Sequence, residues 1–499
     1  MRRLHEILDG RPAATIALLD HDGREISYDA LDRMTHEMAG LLAAHGVRAG
    51  DRVILLSENC ATFLVAALAL SRLDAWIVLM NARATEAEVD RIRERSGARC
   101  VIFTPEASAA SLAHATRMKA TEIGRLDCGQ VLVSPIFEAE PEPVEPDAGQ
   151  VAVLMYTSGT VGEPKGVMLT HGNLLFTCNA GAEMRSLSPS DVMLGLLPGT
   201  HIFGLTSVML ATLKSGGRLV LMPRFDPDTV LDHLAAGVTV MPAVPQIFAS
   251  LLKRLQERGE APRHSLRFIY AGGAPVDLSL KKKVEAVFGI PLHIGYGLTE
   301  ASPSVSSTRL DAPRDDGATG PAIKGVEVVI DSPDEKGVGE ILVRGPNVMK
   351  GYYQNPEATA QTLREDGFLR TGDLGVLDAD GSLFVVGRLK ELIIHSGFNI
   401  YPPEVETVLM EHPSVTLCAV IGRARAGNED VLAFVTTHGP VSEQELRDWV
   451  RARMVSYKVP ARVLVVDALP QAPTGKILKT RLLGQFSQLL DEKEEATDA

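Results

Sequence analysis

Apolar positions in the first third of the chain change period repeatedly. Behind a candidate cap at Ser27, Leu31, Met34, Met38, Leu41 and Leu42 recur at helical spacing until Gly46. Residues 53–56 then form a short continuous apolar run, the mark of a buried strand. A helix over Ala61–Arg72, a strand over 75–79, a helix over 85–96 and a strand over Cys100–Phe103 continue the alternation. Such alternation predicts layered α/β structure with a mostly parallel sheet, and a second stretch of the same kind runs from 147 to 312. Between 320 and 386 the pattern shifts to short strands, as at 326–330 and 339–343, separated by glycine-rich turns such as 378–381. From about 391 the chain reads as a small α+β domain. Its strands are expected at 417–421, 431–436 and 463–466, and its clearest helix follows a capping box at 442–445, with Leu446, Trp449 and Val450 facing inward. The expected fold is α/β: a large N-terminal domain of layered α/β subdomains plus a β-rich subdomain (1–389), and a small α+β C-terminal domain (390–499).

Composition narrows the function classes. A net charge of -13 disfavours an extended nucleic-acid footprint, and the only basic run, Lys281 to Lys283, reads as a solvated helix face. Five scattered cysteines (Cys60, Cys100, Cys128, Cys178, Cys418) show no CxxC spacing, which suits packed side chains in a reducing cytoplasm. The N-terminus lacks a secretory h-region, and the apolar run 61–70 is too short to span a bilayer. The segment EAEPEPVEP at 138–146 reads as a connector, because its prolines cannot join a ladder and its charges resist burial. The acidic stretch 491–495 is expected to fray.

The strongest chemical signal is YTSGTVGEPKG at 156–166, directly after the apolar strand 151–155. Gly159, Gly162 and Gly166 permit positive φ and close backbone approach to an anion. Thr157, Ser158 and Thr160 add hydroxyls, and Lys165 adds a cation, the set a triphosphate requires. No Gly-Lys-Ser/Thr closes the loop, so it is not a Walker A motif.

That loop resembles the signature of the adenylate-forming superfamily of acyl-CoA synthetases, luciferases and peptide-synthetase adenylation domains. Four further segments follow in the family's order: GYGLTE at 295–300, TGD at 371–373, GRLKE at 387–391 and PTGK at 473–476. The resemblance covers nearly the whole chain and implies ATP, Mg²⁺ and coenzyme A as co-reactants with a small carboxylic acid. It implies that Gly295, Tyr296 and Gly297, with the turn Gly272-Gly273-Ala274, receive adenine. Thr299 would lie near the α-phosphate, and Glu300 would offer Mg²⁺ a hard oxygen. Asp373 and Arg388 would reach the ribose. Lys390 would be the hinge of a mobile C-terminal domain, and Ser396 with Gly397 would serve the pantetheine arm. Lys476 would be the catalytic lysine, aimed at negative charge that grows on the phosphoryl oxygens in the transition state.

The segment LPGTHIFGLTS at 197–207 resembles the acid pocket of 4-coumarate–CoA ligases and fatty acyl-CoA synthetases. By that resemblance His201 is a gate or positioning residue beside the carboxylate. Phe203 stands where plant coumarate ligases tend to carry a hydroxyl-bearing aromatic, and Val244, Tyr270 and Pro303 join the expected lining. No Arg or Lys stands out to pair a second carboxylate, which disfavours dicarboxylic acids and leaves fatty and aryl acids both open. Two rival readings stay open, a ligase that loads a carrier protein and a non-catalytic acyl- or nucleotide-binding regulator. Retention of Lys165, Glu300, Asp373, Arg388 and Lys476 together favours an enzyme. Oligomeric state is open.

Overall fold

The computed structural model describes residues 1–157, 163–396, 398–425, 428–471 and 477–494. The chain divides into two compact units. The first comprises Met1–Val328, Val343–Arg370 and Asp380–Ser382, and the second comprises Val329–Leu342, Thr371–Ala379 and everything from Leu383 onward. Packing thus divides the β-rich stretch between the two units: 329–342, 371–379 and 383–386 belong with the C-terminal residues, and the remainder with the first unit.

Two eight-stranded sheets build the first unit. In one, the strands Trp76–Asn81, Arg52–Ser57, Cys100–Phe103 and Val151–Thr157 run parallel, with antiparallel strands at the edges. In the other, Val192–Gly195, Arg218–Leu221, Val240–Ala243, Phe268–Ala271 and Leu292–Gly297 form the parallel centre. The helix Ala61–Arg72 is buried at every position from Ala61 to Ser71. A helix apolar on all sides belongs inside a protein, and the residue before its cap shows how it is held. Asn59 donates to the carbonyls of Gly195 and Leu197 at 3.0 and 2.9 Å and accepts from the Gly199 N–H at 2.7 Å, so it ties one sheet to a loop of the other.

The local signals translate directly. Ser27 accepts from the Ala30 N–H and opens the helix Tyr28–His45, which Gly46 ends at φ 105°. Thr85 and Glu88 form a reciprocal capping box on the helix Glu86–Ser96. Ser442 likewise caps the helix Glu443–Arg451, but the Glu445 carboxylate lies 3.6 Å from His412 Nε2. Leu446 and Val450 are buried as expected, whereas Trp449 is half-buried and donates through Nε1 to the Val408 carbonyl.

In the second unit, the strand Asn428–Thr437 pairs antiparallel with Val415–Arg425 and parallel with Arg462–Val465. Its side chains alternate between two cores: Val431, Ala433 and Val435 pack with Val405, Leu409 and Leu446, while Leu432 and Phe434 pack with Leu464 and Leu482. The helix Ser487–Glu494 takes in residues 491–494 of the acidic stretch expected to fray, and Glu495 lies outside the described residues.

Two further expectations need correction. Lys281 is not a solvated residue: it is buried, paired with Glu285, and donates to the Leu292 carbonyl at 2.9 Å. The segment 138–146 is not a loose connector but is bound to the first unit by arginines. All five cysteines are buried and unbridged, and burial pushes the thiols of Cys60, Cys100 and Cys178 up to about 12. Among the described residues no helix is long and apolar enough to cross a membrane.

Candidate active site

The phosphate segment folds as a hairpin. Val151–Thr157 pairs antiparallel with Lys165–Thr170, placing Thr157 opposite Lys165 and Tyr156 opposite Gly166. Ser158, Gly159, Thr160 and Gly162 lie outside the described residues. Gly166 is not in a left-handed conformation; it is a strand residue where a Cβ would come within 3.0 Å of Leu154 and 3.1 Å of the Tyr156 ring. Its requirement is space rather than handedness.

Lys165 meets Glu300 through a residue that the sequence did not single out. Lys165 Nζ sits 4.8 Å from the centre of the Tyr352 ring, and the Tyr352 hydroxyl donates to Glu300 Oε1 at 2.9 Å. Burial, then the Glu300 charge and hydrogen bond, raise the Tyr352 phenol above 10, so it stays a donor. Backbone pairing explains the meeting. The two-residue strand Gly351–Tyr352 pairs with Met168 and Val167 at the edge of the sheet. Just before it, the Met349 N–H donates to the Glu300 carbonyl and the Lys350 N–H to the Met168 carbonyl, at 2.9 and 3.0 Å. Asn173 holds the carbonyls of Pro346 and Val348, and buried Asn347 donates to the Ser304 carbonyl. Residues 346–353 thus stitch the hairpin to the turn Thr299–Ala301 that carries Thr299 and Glu300.

The small-residue turn and the aromatic turn sit at the carboxyl ends of neighbouring parallel strands, Phe268–Ala271 and Leu292–Gly297, where open α/β sheets bind ligands. A Cβ on Gly272 would lie 3.2 Å from the Phe203 ring and 3.5 Å from the Gly295 carbonyl oxygen. Gly273 is exposed at φ +79°, and Ala274 continues the turn. Gly297 is forced by contact, because a Cβ there would lie 2.1 Å from the Pro303 carbonyl oxygen. Tyr296 is half-buried and pairs with Ser306.

His201 is exposed at the start of a helical segment, and its Nδ1 accepts from the Phe203 N–H at 3.3 Å. Residues Phe203–Leu210 form a π-helix, a widened turn that recurs at functional sites. The Ser207 carbonyl within it accepts from the Tyr270 hydroxyl at 3.2 Å and from Arg185 at 3.0 Å. Phe203 tilts against Tyr270 with centroids 5.7 Å apart, and Val244 borders Gly273. Pro303 is buried under Gly297. Against Tyr270 lies Arg185, a residue the sequence did not single out. It is 4% exposed, with its guanidinium 4.2 Å from the centre of the Tyr270 ring. No local pattern marks a lone arginine after a helix as buried.

The second unit brings together Asp373 and Arg388. They are cross-strand partners in a hairpin, with Arg388 Nε 3.2 Å from Asp373 Oδ1. Thr371 locks the turn: its hydroxyl accepts from the Asp373 N–H and donates to the Ile341 carbonyl, while Gly372 adopts φ +69°. Exposed Lys390 lies in the short helical turn Leu389–Glu391. That turn is held by Lys479, which pairs with Glu391 at 2.9 Å and Glu406 at 2.8 Å. Burial opposes the Lys479 charge, but the two carboxylates outweigh it and raise its ammonium above 10.5. Ser396 has φ 53°, and its N–H donates to Asn428. Gly397 and Lys476 lie outside the described residues.

Among the described residues no group of three or more His, Cys, Asp or Glu could hold a metal alone. Glu300 is a half-buried carboxylate beside a lysine-bearing hairpin. One carboxylate with nucleotide phosphates as the remaining ligands is the usual magnesium arrangement, so these residues fit Mg²⁺ brought with ATP.

Parallel strands ending on these turns define a nucleotide-binding α/β enzyme. The chain belongs to the AMP-binding enzyme family, whose description matches residues 5–353, with the AMP-binding enzyme C-terminal domain matching 404–476. It is an adenylate-forming, acyl-CoA synthetase-like member. A feruloyl-CoA synthase from an Amycolatopsis species is 38% identical over 478 residues, 93% of this chain and 95% of that protein. ATP-bound MatB from Rhodopseudomonas palustris superposes with a TM-score of 0.85 at 31% identity, covering 98% of this chain and 100% of that one. The o-succinylbenzoate CoA synthetase MenE from Bacillus subtilis, in complex with its acyl-adenylate OSB-AMP, gives 0.82 at 32% identity over 97% and 98%.

Proposed function

We propose that this protein joins an aryl-substituted monocarboxylic acid to coenzyme A at the expense of ATP. A carboxylate oxygen attacks the α-phosphorus, pyrophosphate leaves, and an acyl-adenylate forms. The CoA thiolate then attacks the acyl carbon and AMP leaves. The observation that carries this reading is the Lys165–Tyr352–Glu300 chain at the end of the phosphate hairpin.

In this scheme Thr157, Ser158, Gly159, Thr160 and Lys165 cradle the triphosphate, and Thr299 meets the α-phosphate. Glu300 holds Mg²⁺, which neutralises phosphate charge when bound. Gly272, Gly273, Ala274, Gly295, Tyr296 and Gly297 frame adenine, while Asp373 and Arg388 hold the ribose. Lys476 supplies the transition-state cation, and the C-terminal domain turns about Lys390 so that Ser396 and Gly397 serve the pantetheine arm. His201 orients the acid carboxylate. The acid is already ionised at neutral pH, so His201 need not act as a base.

An aryl acid is favoured over a fatty acid by the feruloyl-CoA synthase relative and by the paired rings of Phe203 and Tyr270. Buried, reduced cysteines support a cytoplasmic setting. The test is a panel of cinnamate, benzoate and graded fatty acids with ATP, Mg²⁺ and CoA, scoring AMP and thioester by mass. Acid-dependent AMP and an aryl-CoA are expected, and phosphate release without acid dependence would overturn the scheme. The second step has its own test: Gly397→Leu is expected to block thioester formation and spare the adenylate. Normal thioester formation in that variant would refute the assignment of Gly397.

A further inference from the structure

Residues 138–146 are gripped along their length in the first unit. Proline brings no N–H, so such a segment presents carbonyls that need donors. Arg48 donates to the Ala139 carbonyl at 2.7 Å, Arg52 to that of Glu140 at 2.6 Å, and Arg3 to that of Glu145 at 2.7 Å. The Glu142 N–H donates to the Gly50 carbonyl at 2.9 Å. Gly50 itself cannot change: its φ is +81°, and a Cβ would lie 2.0 Å from the Glu142 carbonyl oxygen.

From this held segment two carboxylates reach the residues flanking the strand Gly351–Tyr352. Glu142 Oε1 accepts from the Tyr353 hydroxyl at 2.6 Å, and Glu145 pairs with Lys350. Tyr353 also packs edge-on against Trp76, centroids 5.7 Å apart, and its N–H donates to the Gly166 carbonyl at 2.8 Å. Successive side chains of an extended strand point to opposite faces. Tyr352 accordingly meets Lys165 and Glu300, while Tyr353 meets Trp76 and Glu142. A two-residue edge strand has few main-chain bonds of its own. Its placement depends on what holds its neighbours.

We propose that Glu142 and Glu145, acting through Tyr353 and Lys350, are positioning residues for Tyr352 and hence for the Lys165 and Glu300 side chains that receive Mg·ATP. This rests on the triphosphate role proposed above for Lys165 and Glu300. The acidic strap touches no reacting atom. It sets where the phenol stands between the cation and the carboxylate.

The test uses the full-length protein with Glu142→Ala and Tyr353→Phe, and Glu142→Gln as the conservative variant that keeps an acceptor. Two readouts are needed: KM for Mg·ATP against KM for the acid, and hydrogen exchange at residues 349–353 against the strands Arg52–Ser57 and Trp76–Asn81. Glu142→Ala and Tyr353→Phe are expected to raise KM for Mg·ATP about three- to tenfold, the range of one lost hydrogen bond. The acid KM is expected to hold, exchange to quicken only at 349–353, and Glu142→Gln to restore most of the loss. An unmoved KM for Mg·ATP, equal shifts in both KM values, or faster exchange throughout the unit would overturn the proposal. If wild-type protein forms no AMP from any acid, the ligase reading fails on its own, and the exchange contrast still decides the strap. Faster exchange confined to 349–353 supports the strap, and unchanged exchange there overturns it.

Discussion

The two units bring their candidate site residues together in opposite ways. In the second, Asp373 and Arg388 face each other across one hairpin, and Thr371 locks the turn between neighbours in sequence. In the first, Lys165, Glu300 and Tyr352 come from three distant segments and meet where an edge strand joins the phosphate hairpin to the turn that carries Glu300. A site built within one hairpin depends on a single register. A site built from distant segments depends on every contact that positions each of them, so the first unit is the more sensitive to changes remote from the chemistry.

The largest expected effect lies on the second unit. Lys476→Ala is expected to slow adenylation about 10²- to 10³-fold, equivalent to about 3–4 kcal/mol of lost transition-state stabilisation. Thioester formation from supplied acyl-adenylate is expected to persist, and rapid-quench assays of the two half-reactions check this. Equal loss in both would refute the assignment of Lys476 to the first step alone.

Next comes Asp373→Asn, which removes a charged acceptor and leaves Arg388 without that carboxylate. The KM for ATP is expected to rise by roughly ten- to a hundredfold, since hydrogen bonds to charged groups contribute about 1.5–3 kcal/mol. No change in KM would remove Asp373 from the ribose site.

Acid sharpens the contrast. His171 stands at the start of the helix that follows the phosphate hairpin, and its Nδ1 accepts from the Leu4 N–H at 3.1 Å. Burial, with a smaller contribution from Arg3, lowers its pKa from 6.5 to about 3. The unfolded chain therefore takes up a proton below pH 6.5 that the folded chain refuses until about pH 3. Stability is fully present above 6.5 and falls with pH through that window, by about 2 kcal/mol at pH 5. Denaturant titrations at pH 7 and pH 5 measure the loss, and His171→Asn is expected to abolish that share of the slope.

The smallest effect is expected from Tyr352→Phe, which keeps the ring beneath Lys165 and deletes the bond to Glu300. A rise of about fivefold in KM for Mg·ATP, near 1 kcal/mol, is expected with the acid KM unmoved. An unchanged Mg²⁺ dependence would show that the phenol does not orient Glu300.

Much was legible in advance because it rests on local physics. The Ser27 cap, the Gly46 stop, the largely apolar helix Ala61–Arg72 and the turn at Thr371–Asp373 depend on a few neighbouring residues. Fold class and family membership follow from such local patterns repeated in order along the chain. Misreadings fell where a polar residue is buried by distant partners. Lys281 looked solvated until Glu285 and the Leu292 carbonyl enclosed it. The segment 138–146 looked like a linker because the donors to its carbonyls, on Arg3, Arg48 and Arg52, lie far away in sequence.

Periodicity, turn chemistry and motif order alone therefore carried the α/β layering and the family to which the chain belongs. Only the folded arrangement decided that Tyr352 links Lys165 to Glu300, that Arg185 lies behind Tyr270, and that an acidic strap holds the edge strand. Burial and long-range pairing are properties of what the chain brings together, and a side chain carries no local mark of the partner it will meet.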